Sequence, residues 1–126
     1  MVGEMTEPLP VNHYPPERRT VVAPRLIELC FQTAGLWEMG VQGRMGLPLH
    51  VHRAWLLRAP GLAEGRFYAV VTPDPEQGSF DAEVLDAKGN RYVHLSAYRT
   101  VALPNRLDAE LLRPLQSAIA LEAVTA

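Results

Sequence analysis

PRLIELCFQTAGLWEMG, residues 24–40 of the chain, opens with a proline where a first helical turn has no use for its amide hydrogen. It continues in residues that favour helix and reaches a glycine at Gly40. The pattern predicts a helix over 24–39. At about 100° per residue, Leu26, Ile27, Leu29, Cys30, Phe31, Ala34, Leu36 and Trp37 cover nearly the whole circumference, so this helix should be buried all round. Only a curved sheet wrapped around it can supply that cover. Within this apolar surface Glu28 and Gln32 stand one turn apart, side by side, and Gly35 and Met39 fall in the same narrow sector. A glycine inside a helix costs about 0.5–1 kcal/mol relative to alanine, so something should approach closely at Gly35, either a ligand or a crossing strand.

Downstream the hydrophobic period changes from helical to alternating. After the glycine-rich VQGRMGLP, residues 49–57 place Leu49, Val51, Arg53, Trp55 and Leu57 on one face of a strand. RFYAVVT at 66–72 is rich in aromatic and β-branched residues, and SFDAEVL at 79–85 alternates again. The turn Asp86-Ala87-Lys88-Gly89 joins that strand to the run RYVHLSAYRTVAL as a hairpin. LDAELLRPLQSAIALEAV predicts a terminal amphipathic helix, broken or kinked at Pro114. Upstream, residues 1–23 hold Pro8, Pro10, Pro15 and Pro16 without apolar periodicity and read as an extended arm or linker. The expected organisation is an arm over 1–23, an α+β domain over 24–104 with one central helix and about four antiparallel strands, and a helix or tail over 105–126.

A length of 126 residues, nearly half of them apolar, suits one domain with a modest core. Twelve basic residues scattered among fourteen acidic ones form no stripe that could neutralise a phosphate backbone, which argues against a nucleic-acid partner. Neither a membrane span nor the charged-then-apolar order of a signal peptide is visible, so the expected location is cytoplasmic. The single cysteine, Cys30, rules out an internal disulfide and a cysteine-cluster metal site. His50 and His52 lie two apart on a strand and could meet His94 at a metal. No further ligand spacing supports that, and no metal is expected. Tyr98 and Arg99 read as packing and pairing residues, and Trp37 and Trp55 as core or interface.

PRLIELCFQTAG, residues 24–35, resembles the central-helix motif of hotdog-fold acyl-thioester dehydratases, in which an acidic residue precedes a glutamine by four positions. GLPLHVHRAWLL and FDAEVLDAKGNRYVHLSAYRTVALP are similar in order to the second, C-terminal hotdog of polyketide synthase dehydratase domains. The resemblance spans roughly residues 24–104. It implies an antiparallel sheet wrapped around the central helix, in a domain that looks short at its N-terminus. It also implies dehydration of a 3-hydroxyacyl chain carried on the phosphopantetheine of acyl carrier protein, with no other cofactor. Glu28 then matches the acid that protonates the leaving hydroxyl, and Gln32 the amide that orients it. The modular polyketide enzymes usually carry aspartate there, and stand-alone fatty-acid dehydratases of this fold often carry glutamate. His13-Tyr14-Pro15 is similar to the "H-F-P" of stand-alone dehydratases, which makes His13 the candidate base. Arg25 stands where the family has a glycine whose amide holds the thioester carbonyl, and Arg25, Gly35 and Met39 are the expected substrate-binding residues. A second hotdog is expected, from a homodimer or a larger synthase. A hotdog thioesterase, and a non-catalytic hotdog that binds acyl chains or supports a synthase, are the alternatives.

Overall fold

The computed structural model describes residues 1–5, 22–62 and 65–125; His13 and most of the expected arm lie outside them. In chain order the elements are β1 (Val2–Glu4), α1 (Pro24–Trp37), β2 (Gly46–Leu56), β3 (Tyr68–Asp74), β4 (Ser79–Leu85), β5 (Arg91–Ala102) and α2 (Ala109–Thr125). The five strands form one sheet in the order β1-β3-β4-β5-β2. Every neighbouring pair is antiparallel. The sheet curls around α1, which is the α+β arrangement expected of a hotdog. β1 lies within the stretch read from sequence as an arm, and Gly3 brings it across Thr33 of α1 so closely that a Cβ there would collide with the threonine hydroxyl.

The strands sit where their composition placed them, β4 at the expected bounds and β2 three residues longer at its start. Sheet and helix meet through Leu26, Leu29, Cys30 and Ala34 of α1 and Ala69, Val71, Phe80, Ala82, Val84, Val93, Leu95 and Tyr98 of β3, β4 and β5. Burying one such large apolar side chain contributes about 1.5–3 kcal/mol. Alternation along β5 is interrupted twice, at Tyr92, which the pairing of Val84 with Val93 and Leu85 with Arg91 passes over, and again at 96–97. Phe80 pairs with Tyr98 and Ala82 with Leu95, so Asp81 alone faces both Ser96 and Ala97, and Ala97 takes a left-handed φ of 46°. The extra residue returns Tyr98 to the helix side, where its ring stacks on Phe31 with centroids 4.7 Å apart. At the other end of the hairpin, Asp86 accepts bonds from the Lys88 and Asn90 amides, the Asn90 side chain and the Tyr92 hydroxyl. That buried cluster closes the turn expected at 86–89.

Three expectations change. Gly40 does not stop the helix: α1 runs on as a π-helical turn, Glu38–Gln42, and Gly43 ends it in the left-handed conformation at φ 66°. Gly40 instead lets α2 dock, since a Cβ there would strike Ile119 and crowd Leu115. Pro114 does not break α2, which continues through it from Ala109–Thr125 after Asp108 accepts the Glu110 amide at 2.8 Å. Finally, among the described residues the sheet covers α1 on one side only. Leu26, Leu29, Cys30, Thr33 and Ala34 are buried, whereas Glu28, Gln32 and Leu36 are exposed in the single chain.

Candidate functional site

The exposed face of α1 forms one wall of a groove, and the start of β2 forms the other. Glu28, Phe31, Gln32, Gly35, Leu36 and Met39 line the helix side; Met45, Gly46, Leu47 and Pro48 line the strand side, around a space of about 430 Å³. From Glu28 to Met39 the helix rises about 16 Å at 1.5 Å per residue. The volume lies in the lower part of the range for small-molecule sites, and its composition is typical of them: a mostly apolar wall with a few placed polar groups.

Those polar groups are at one end. Gln32 Nε2 donates to Glu28 Oε1 at 3.2 Å, the i, i+4 contact that their spacing allows. Both residues of the pair line the groove. Phe31, between them in sequence, is held by its stack on Tyr98. Burial pushes the Tyr98 phenol well above its ordinary value, with the negative charges of Glu38 and Glu28 adding to it, so this hydroxyl keeps its proton. Burial likewise pushes the Cys30 thiol up to about 12, which makes it an inert core group rather than a nucleophile.

Glu28, Gln32, Gly35 and Met39, four of the six residues singled out in the sequence, thus come together on one groove. Arg25 stands exposed on the first turn of α1 and is not among the residues lining the groove. His13 falls outside the described residues. Among those residues no group of three or more histidine, cysteine or acidic side chains is placed to hold a metal. His94 pairs with Asp81 at 3.1 Å and stacks on Trp55.

One residue escaped the sequence reading. Glu38, on the π-helical turn, is completely buried. Its Oε1 accepts Arg44 Nη2 at 2.7 Å and the Thr100 hydroxyl at 2.6 Å, while Oε2 has no partner and lies against Gly46. A buried carboxylate with one unmatched oxygen is costly, so it persists only where the surroundings fix it. Here it ties the end of α1, the loop at Arg44 and β5 to the strand-side wall of the groove. The signal was present in AGLWEMGV, an acidic residue inside an apolar run flanked by Trp37 and Met39.

Over residues 1–110 the chain matches the family model described as polyketide synthase dehydratase N-terminal domain. The chain belongs to this family. Its α+β architecture is therefore a hotdog, and membership brings a dehydratase-type function in polyketide synthesis. The finer likeness to the second hotdog of those domains rests on the quoted residues alone. No curated protein and no solved structure matches the chain. Among the described residues no helix is long and apolar enough to cross a membrane.

Proposed function

We propose that the chain removes water from a 3-hydroxyacyl chain presented on the phosphopantetheine arm of acyl carrier protein, with Glu28 as general acid and Gln32 as its orienting amide. The observation that carries this reading is the position of the pair: inside the span matched to the dehydratase family, hydrogen-bonded to each other, and lining the apolar groove. In the reaction a base takes the α-proton, the C–H electrons become the Cα=Cβ bond, and the β-hydroxyl leaves as water with the Glu28 proton. The Gln32 amide hydrogen on Oε1 turns the other carboxyl oxygen toward the hydroxyl. Arg25 stands on the first turn of α1, outside the groove lining, and its backbone amide is the proposed donor to the thioester carbonyl.

His13 is proposed as the base. The second hotdog, from another copy or a neighbouring part of a synthase, would cover the open face of α1. Two features support that partner: among the described residues β2 has β5 on one side only, and Leu47 and Leu49 on it are exposed.

The test is turnover of a 3-hydroxyacyl-pantetheine to its enoyl product, followed by ultraviolet absorbance. Glu28→Gln should lose at least about 100-fold in kcat, the usual worth of a general acid, with thioester binding retained. Unchanged turnover would remove Glu28 from the reaction. His13→Ala should be equally inactive; an active variant would place the base on the other hotdog.

A further inference from the structure

Gly35 is the one glycine in the interior of α1, and the fold supplies no reason for it. A Cβ at Gly3, Gly40 or Gly46 would collide with Thr33, Ile119 or Glu38, so packing requires those glycines. Gly43, Gly65, Gly78 and Gly89 have positive φ. Gly35 has neither property: its backbone is ordinary helix, and a Cβ would meet nothing within 4 Å. The crossing strand that could have explained it runs over Thr33 at Gly3 instead. What lies beside Gly35 is the groove. A residue that weakens its helix, whose added Cβ would meet no other part of the described residues, and that faces a pocket is explained by the pocket's occupant.

We propose that Gly35 is the specificity-determining residue of the groove, the point where the hydrocarbon of an acyl thioester passes beyond its reacting carbons, and that it selects chains of medium length. The inference rests on the dehydratase reading for the orientation of the ligand. Glu28 and Gln32 mark the reacting end. One turn further the wall becomes Leu36, Met39, Met45 and Leu47. Two methionines give that end a soft, adaptable lining suited to alkyl chains of varied course. From Gln32 to Met39 the helix rises only about 10 Å, so the tail reaches the methionines within a medium chain. A butyryl chain ends before Gly35, an octanoyl chain passes it, and a dodecanoyl chain runs beyond the lined space.

Calorimetric binding of 3-hydroxybutyryl-, 3-hydroxyoctanoyl- and 3-hydroxydodecanoyl-pantetheine to the full chain tests this without relying on turnover. The wild type should bind the octanoyl ligand more tightly than the butyryl ligand, with no further gain for dodecanoyl. Gly35→Leu should weaken octanoyl binding about tenfold or more, a tenfold change in Kd corresponding to about 1.4 kcal/mol, while leaving butyryl binding within about twofold. Gly35→Ala, which keeps the groove partly open, should raise Tm by about 2–4 °C. A lower Tm for Gly35→Ala would mean the fold needs the glycine and would overturn the proposal. So would losses equal at all lengths, octanoyl binding unaffected by leucine, or no binding by the wild type. A changed oligomeric state without length dependence would assign the groove to a second copy of the chain instead. Failure of the dehydratase reading is separable, because it appears as absent turnover in a chain that still shows the length-dependent binding.

Discussion

At Glu38 the chain keeps a carboxylate in its interior with one oxygen matched twice and the other unmatched. Removing one member of a buried pair leaves the remaining groups unsatisfied, whereas an apolar side chain of similar volume removes the unmatched oxygen as well. Glu38→Ala should therefore cost about 2–4 kcal/mol in urea unfolding, with Arg44, 45% exposed, free to turn to water and limit the loss. Glu38→Met should cost far less. Gly46→Ala should be costly in the wild type and milder on a Glu38→Ala background, because the added methyl would occupy the space the carboxylate vacates. Additive effects in that double-mutant cycle would show that the two positions do not share a cavity. Cys30 gives a pH dependence of definite sign. Its thiol titrates at 9.0 when free and at about 12 in the fold, so the neutral form is favoured by folding. That stabilisation is complete below pH 9 and is lost as pH rises from 9 towards 12. The buried tyrosines Tyr92 and Tyr98, raised above 10.0, extend the loss upward. Tm should fall through this alkaline range, and Cys30→Ala should flatten its first part.

Among the elements, β5 carries the feature that sequence alternation concealed. Val93 and Leu95 face the helix, and without the extra residue at 96–97 the next position on that face would be Ala97 rather than Tyr98. The bulge swaps a small side chain for the ring that backs Phe31, and so stiffens the helix face between Glu28 and Gln32. It does so with a non-glycine residue at a left-handed φ, which costs about 1–2 kcal/mol. Ala97→Gly should then stabilise the chain by about 0.5–1 kcal/mol, less than the full relief because glycine loses more entropy on folding. A destabilised variant would mean that the Ala97 methyl carries packing that outweighs the backbone cost. α2 depends on the π-helical turn in a different way: Gly40 admits Ile119 and Leu115, and the wider turn continues past them to the Gly43 cap.

At the scale of the whole molecule, the face of α1 that is open and the edge of β2 that is unpaired among the described residues adjoin one another at the groove. A second hotdog seated there would extend the sheet and cover Leu36, Leu47 and Leu49, all exposed in the single chain. Leu49→Lys should accordingly shift the protein from dimer to monomer in sedimentation equilibrium and leave the Tm of the monomer nearly unchanged. A chain already monomeric before substitution would require the partner hotdog to come from a different polypeptide.

Residues 24–40 by themselves determined the central helix, the pairing of Glu28 with Gln32 and the shared sector of Gly35 and Met39, because spacing along a helix converts directly into direction. The strands and the turn at Asp86 were legible for the same reason: alternation and turn chemistry act over a few residues. Tertiary structure decided whatever depended on neighbours distant in sequence. Gly40 reads as a helix stop until α2 is seen docked on it, and Gly43 ends the helix instead. The apolar circumference of α1 reads as burial all round, yet how much of it is covered depends on how far the sheet curls and on what meets the open side. Glu38 looks like an ordinary helix-end carboxylate, and only the return of Thr100 and the loop at Arg44 shows it to be buried. Gly35 reads equally as room for a strand or for a ligand, and only the fold shows that β1 crosses α1 at Gly3 and Thr33 while Gly35 lines the groove.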